Sequence, residues 1–221
     1  MQQEIFLTGD GSHSIRVPQL NVSYHSRHGA MAESDHIFIR SGFNLLLNQK
    51  NIAVFEMGFG TGLNALLTFI AAENRNVYYE TAEQYPVDVK TAHGLNYTEI
   101  LNRSDLHTVF MKMHGNAWNE PLNISPDFIL HKRIGDIIDM DLVGSFDIIY
   151  FDAFDPVTQP ELWTVAIFRK LFGVLRPGGM LLTYCSKSIV RKAMQEAGFI
   201  VEKIAGPKGK REIVRAFSPL A

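Results

Sequence analysis

The stretch Ile52–Asn64, IAVFEMGFGTGLN, constrains this chain more than any other. It opens with an apolar run free of charge until Glu56, the pattern of a strand buried on both faces of a parallel sheet. Gly58, Gly60 and Gly62 follow at alternate positions, where the missing side chains let the backbone turn tightly and approach a ligand. Leu63, Leu66, Leu67, Ile70 and Ala71 then recur at helical spacing, one apolar face of an amphipathic helix packing back on the sheet. Strand, glycine loop and helix form a nucleotide cradle at the carboxyl end of the strand. A dinucleotide fingerprint would place its third glycine at position 63; Leu63 stands there, which disfavours an NAD-type dehydrogenase.

The chain has 221 residues, 46% hydrophobic and 20% charged, enough for one large domain with a full core. No run of about 18 apolar residues is present, so no transmembrane helix is expected. The N-terminus lacks a basic region followed by an apolar stretch and does not read as a secretory signal. A lone cysteine, Cys185, cannot form an internal disulfide, and a cytoplasmic location is expected. Net charge is −2, but from Lys187 onward eight basic residues face three acids, a local +5 against about −7 in the remainder. That asymmetry points either to an anionic partner near the C-terminal third or to ordinary solvated positions.

Residues 1–50 read as an N-terminal extension capping the site mouth, with a strand near Val22–Tyr24 and a helix from about Ala32; residues 51–221 form the main domain. His25 and His28 are spaced like metal ligands, but no cysteine or H-E-x-x-H accompanies them and no metal is expected. Val77–Ala82 reads as the second core strand. A carboxylate at its end suits the two hydroxyls of a ribose, and Glu83, at the strand terminus, is preferred to Glu80 within the strand. Residues 87–126 form a polar and aromatic connection, helical around Val87–Leu101. Phe128–Ile134 is the third strand, ended by Gly135-Asp136. Phe146–Phe151 is the fourth, with Asp152 emerging at its carboxyl end, the edge where reactive groups of open parallel sheets belong. A helix is expected from Pro160 to about Val174, then a strand over Met180–Cys185 after the turn Arg176-Pro177-Gly178-Gly179. Ser186 or Ser188 should cap the next helix, which Gly198 stops. Strands Ile200–Ile204 and Arg211–Phe217 close the chain as a hairpin, so the last strand should run antiparallel.

This order, with G-x-G-x-G two residues after Glu56 and L-R-P-G-G, strand, A-G-F near the end, resembles the Rossmann-like S-adenosylmethionine methyltransferases. The resemblance implies an α/β fold with a seven-stranded, mostly parallel sheet, an antiparallel last strand, and S-adenosyl-L-methionine as cofactor. Glu56 would then be among the cofactor-binding residues, with Gly58, Gly60, Gly62 and Asn64 on the methionine side, Glu83 on the ribose and Asp136 on the adenine amino group. Asp136 is also a helix N-cap candidate for Ile137–Met140.

Three segments narrow the resemblance: FEMGFGTGLNALLT, YFDAFDPVTQPELWT, and LRPGGMLLTYCSKSIVRKAMQEAGF with GPKGKRE. With YHSRHGAMAESDHIFI, they resemble the methyltransferase domain of the bifunctional tRNA 5-methylaminomethyl-2-thiouridine biosynthesis proteins and its stand-alone relatives. The likeness spans most of Tyr24–Phe217 and is weakest over Asp88–Pro126. It implies methyl transfer to the primary amine of 5-aminomethyl-(2-thio)uridine at the tRNA wobble position. Asp152, Phe154 and Pro156 would floor the target-base pocket, with Phe154 stacking on the flipped base and Asp152 holding the amine and relaying its proton. The alternative for Asp152 is a strand-end residue that only organises the D-A-F-D-P turn. Lys203, Lys208, Lys210 and Arg211 would contact phosphates. Because the chain ends at Ala221 without a flavin-dependent oxidase, the amine is expected from an upstream tRNA-modifying enzyme. Two other readings compete: a methyl- or aminopropyltransferase for a small amine, betrayed by no nucleic-acid binding at low salt, and a non-catalytic tRNA-binding module, betrayed by cofactor binding without turnover.

Overall fold

The computed structural model describes residues 3–220, so the extreme ends of segments 1–50 and 51–221 lie outside the described residues. Strands β1 (Glu4–Leu7), β2 (His13–Val17) and β3 (Val22–Ser23) precede helix α1 (Ala30–Ser34), which widens into a π-helical segment over Asp35–Arg40. The main body follows as β4 (Asn51–Met57), α2 (Leu63–Ala72), β5 (Asn76–Glu83), α3 (Val89–His93), α4 (Tyr97–Ile100), α5 (His107–Gly115), β6 (Pro121–Ser125), β7 (Phe128–Ile134) and β8 (Phe146–Phe151). It ends with α6 (Val165–Phe172), β9 (Leu175–Thr183), α7 (Ser188–Glu196), β10 (Ile200–Ala205) and β11 (Glu212–Phe217).

The large sheet has the order β10-β11-β9-β8-β4-β5-β7-β6. β7, β5, β4, β8 and β9 are parallel; β11 runs antiparallel between β9 and β10. Side chains of β4 alternate between two cores: Val54 packs with α2 and the N-terminal segment, Phe55 with α6 and α7. Registers Met57↔Ala82 and Met57↔Phe151 bring the carboxyl ends of β5, β4 and β8 level. This puts Glu83, the glycine loop and Asp152 on one edge, where the chain path on either side of β4 diverges and leaves a crevice.

The sheet differs from the expected seven strands by an eighth, β6, antiparallel to β7 at the edge. Its proline is its first residue, the place an edge strand tolerates one, and Ile124 is its one buried side chain, so no alternation marked it in sequence. The helix expected around Val87–Leu101 is two short helices, with Gly94 between them. The helix expected from Pro160 is a 3-10 turn over Pro160–Trp163, after which Thr164 caps α6 by accepting the Ile167 N–H. Neither Ser186 nor Ser188 caps α7: Lys187 occupies the cap position without a side-chain bond, and Ser188 is already helical. Arg176-Pro177-Gly178-Gly179 is an irregularity within β9 rather than a turn before it. Arg176 there pairs with buried Asp147 at 2.6 Å, pinning the bulge to the start of β8.

The N-terminal segment is a three-stranded antiparallel sheet rather than one strand. Its helix starts at Ala30, earlier than expected, because Asp10 reaches across to accept the Ala32 N–H at 2.9 Å. A Cβ on Gly29 would lie 2.5 Å from that Asp10 carboxylate, so only glycine fits the approach.

Candidate active site

A cleft of about 480 Å³ opens at this edge, within the range of small-molecule sites. Gly58 and Gly60 line it with φ of +89° and +51°, left-handed values that other L residues enter at a cost. Gly62, at φ +72°, lies behind the loop, where a Cβ would sit 2.8 Å from His114 Nε2. His114 is buried: its Nε2 is 3.1 Å from the Thr61 carbonyl oxygen, and burial lowers its pKa to about 4. The neutral ring therefore donates to that carbonyl and supports the loop from below.

Glu83 ends β5 with its carboxylate turned to the loop, accepting the Gly60 N–H at 3.0 Å and the Tyr85 N–H at 2.7 Å. Desolvation raises its pKa, and those N–H groups oppose the rise. Glu80 instead accepts the Tyr78 hydroxyl and pairs with Arg133 at 3.2 Å, away from the cleft. Asp136 lines the cleft beyond β7; the helix it was expected to cap over Ile137–Met140 is only a turn, within which Asp136 accepts the Ile138 N–H at 2.9 Å.

On the other side, Asp152 follows β8, its N–H donating to the Met57 carbonyl at 3.3 Å. Asn64, in the first turn of α2, donates Nδ2 to Asp152 Oδ2 at 2.9 Å. Burial raises the Asp152 pKa to about 7; the Glu33 charge adds to the rise, and Asn64 and Lys210 oppose it. Below Asn64 lies Glu56, fully buried and without a well-formed hydrogen bond to either carboxylate oxygen. Desolvation pushes its pKa well above the carboxylate range and favours the neutral acid. Glu56 is therefore beneath the cleft rather than in its wall.

Phe154 lines the cleft, its backbone fixed by Gln159 Oε1 accepting its N–H at 3.0 Å and by Trp163 Nε1 donating to its carbonyl at 2.8 Å. Pro156 is in the following turn and does not line the cleft. The four cations assigned to phosphates diverge. Lys208 and Arg211 are exposed, whereas Lys203 pairs with Glu212 at 2.9 Å and Lys210 with Glu33 at 3.0 Å.

The N-terminal segment was expected over the site mouth, but not which of its side chains reach the cleft. Tyr24, following β3, meets Phe154 edge-on at 5.3 Å and packs over Gly60, whose Cβ would lie 3.0 Å from its ring. His25 lines the cleft, held through Nδ1 by Ser14 Oγ at 3.0 Å, and burial lowers its pKa to about 4. His28 instead packs on Gly209, so the two histidines diverge. Only the presence of YHSRH at the start of a family-resembling segment hinted at these contacts.

These residues fit S-adenosyl-L-methionine. Two left-handed glycines keep the loop backbone free of side chains along the cleft, and the carboxylates of Glu83 and Asp136, acceptors of the kind that ribose hydroxyls and an exocyclic amine require, line the same cleft.

A family described as S-adenosyl-L-methionine-dependent methyltransferase matches residues 122–219. The tRNA 5-methylaminomethyl-2-thiouridine biosynthesis bifunctional protein MnmC of Burkholderia thailandensis is 32% identical, the match covering 89% of this chain and 32% of that protein. Its namesake in Burkholderia pseudomallei is 30% identical over 89% of this chain and 33% of its own length. The chain thus spans about a third of the length of the curated relatives it matches. Among solved structures, MNMC2 from Aquifex aeolicus superposes with a TM-score of 0.78 at 24% identity, covering 99% of this chain and 72% of that one. Spermidine synthase from Thermotoga maritima superposes with a TM-score of 0.56 at 13% identity, covering 98% and 68%. Both likenesses concern the fold.

Proposed function

We propose that this chain, a Rossmann-like member of the S-adenosyl-L-methionine-dependent methyltransferases and a homologue of the MnmC proteins, methylates the 5-aminomethyl group of a wobble (2-thio)uridine in tRNA. The observation that carries this reading is the position of Asp152: at the tip of β8, bonded to Asn64 of the glycine-loop helix, and facing the same cleft as Gly58 and Gly60. S-adenosyl-L-methionine, when bound, supplies a methyl group on a sulfonium whose leaving group departs as a neutral thioether.

The chain's own residues then have distinct tasks. Gly58, Gly60 and Asn64 border the methionine side, Glu83 accepts from the ribose hydroxyls and Asp136 meets the adenine edge. Tyr24 and Phe154 close over the loop and exclude water, which aligns the reactants. An alkylamine attacks only with its lone pair free, yet in water it is mostly protonated near neutral pH. Asp152, with its pKa raised to about 7, is matched to hold the amine and accept a proton from it. Phe154 offers its ring to the flipped base, and Lys208 and Arg211 offer exposed charge to phosphates. The tRNA must already carry the amine, so an amine-generating modification precedes this step. Such a substrate places the protein in the cytoplasm; no helix among the described residues is long and apolar enough to cross a membrane.

The acid-rich cleft, lined by Glu83, Asp88, Asp136, Asp152 and Glu161, also favours a second reading, transfer to a small cationic amine. Methyl-labelled S-adenosylmethionine incubated with tRNA from cells lacking this gene, or with a short diamine, separates the two. Label on a wobble nucleoside, lost in Asp152→Asn while S-adenosylhomocysteine still binds, is expected. Label on the diamine alone would overturn the tRNA assignment, and full turnover by Asp152→Asn would remove its role.

A further inference from the structure

Lys210 stands apart from the other cations of the β10–β11 turn. Its ammonium is 3.0 Å from Glu33 Oε1 and 4.3 Å from the centre of the Tyr184 ring. Glu33, on α1, is only 9% exposed, and its other oxygen accepts the Ser26 N–H at 2.7 Å. Tyr184, just beyond β9, donates its hydroxyl to the Ala153 carbonyl at 2.9 Å. Ala153 is the residue between Asp152 and Phe154. Contacts therefore run without a gap from the N-terminal segment, through Lys210, to the backbone carrying the acceptor pocket. A side chain so engaged has little left for a phosphate, whereas Lys208 and Arg211, on the same turn, are exposed.

We propose that Lys210 is a positioning residue for Asp152 and Phe154, locking the capping segment onto the acceptor pocket, and is not a phosphate contact. This rests on the methyltransferase reading above. The cation–π contact and the ion pair each hold Tyr184 and Glu33 in place, and Tyr184 holds the strand-end turn. The charge also acts at a distance. Asp152 is faced by Glu33 from α1, Lys210 from the β10–β11 turn, Tyr184 from just beyond β9, Glu56 from β4 and Tyr79 from β5, with Asn64 of α2 donating to it. Of these, the Glu33 charge favours protonated Asp152 and the Lys210 charge favours the carboxylate. Removing one or the other should move the titration of Asp152 in opposite directions.

The test uses Lys210→Met, Lys210→Arg, Glu33→Gln and the double variant Lys208→Met/Arg211→Met in the full chain. Carboxyl-carbon NMR reads the titration of Asp152 without cofactor, and binding of unmodified tRNA across a salt series reads phosphate contacts. Lys210→Met should raise the Asp152 midpoint and Glu33→Gln lower it, with Lys210→Arg close to wild type. Lys210→Met should also lower kcat on the order of tenfold to a hundredfold, as small misplacements do. Its salt slope should match wild type, while the double variant should flatten the slope by about two. A slope flattened by about one in Lys210→Met, with midpoint and kcat unchanged, would overturn the proposal and return Lys210 to the phosphates. If Lys210→Met does not fold, an Asp152 midpoint in Glu33→Gln equal to wild type overturns it equally. Failure of the methyltransferase reading looks different: the native protein itself would transfer no label from methyl-labelled S-adenosylmethionine to tRNA, whatever the Asp152 titration shows.

Discussion

Replacing Glu83 by Gln changes one atom and tests how the cleft holds its cofactor. In the native site the two carboxylate oxygens accept separate backbone donors, Gly60 N–H at 3.0 Å and Tyr85 N–H at 2.7 Å. A carboxamide keeps one acceptor and turns an N–H₂ donor toward the other N–H. One charge-assisted bond is lost, about 1.5–3 kcal/mol, and a donor is left facing a donor. That loss falls on the loop and on fold stability, present with or without cofactor; a ribose hydroxyl that relies on the same carboxylate loses a comparable amount, roughly 1.5–3 kcal/mol, or about 10- to 10²-fold in Kd. Calorimetry with S-adenosylhomocysteine measures this, and a thermal melt establishes that the variant is folded. Glu80→Gln is the control: it disrupts the pair with Arg133 and should cost stability with little effect on binding. A Kd for Glu83→Gln within threefold of wild type, or an equal loss in Glu80→Gln, would refute the assignment of the ribose contact.

Gly62→Ala should destabilise the fold by about 1–2 kcal/mol from its left-handed backbone alone, and by more because the new Cβ lies 2.8 Å from His114 Nε2. A denaturant midpoint equal to wild type would contradict the loop geometry. Asp152 should also cost stability as pH rises. Its folded pKa, raised to about 7, lies above the unfolded value, so the native state holds the proton more tightly and the relative stability this gives is present at pH 4 and lost toward pH 8. Asp152→Asn should therefore melt at a higher temperature than wild type at pH 8 and show a smaller difference, or none, at pH 4; a constant offset across that range would refute the titration argument.

Much of this molecule was legible because its core strands are short apolar runs closed by turn residues. Phe128–Ile134 and Phe146–Phe151 form over the expected residues, and α2 starts where the apolar stripe begins at Leu63. The start of the capping helix was not: Asp10, a carboxylate 22 residues before Ala32, accepts the Ala32 N–H and starts α1 at Ala30, a contact no local pattern records. The edge strand β6 was hidden for a related reason, since its pairing comes from β7 while only Ile124 is buried.

Alternation, glycine spacing and strand-end acids, all local properties of the chain, determined the kind of sheet, the loop and the edge where chemistry would gather. Tertiary structure alone decided which charges remain available there. Lys208, Lys210 and Arg211 share one turn, yet the fold leaves two exposed and delivers the third to Glu33 and Tyr184. It likewise turns Glu83 to the loop and Glu80 to Arg133, and it buries Glu56 while leaving Asp152 in the cleft wall. A side chain's charge state and partner depend on groups brought near it from distant parts of the chain, and on how much water they exclude.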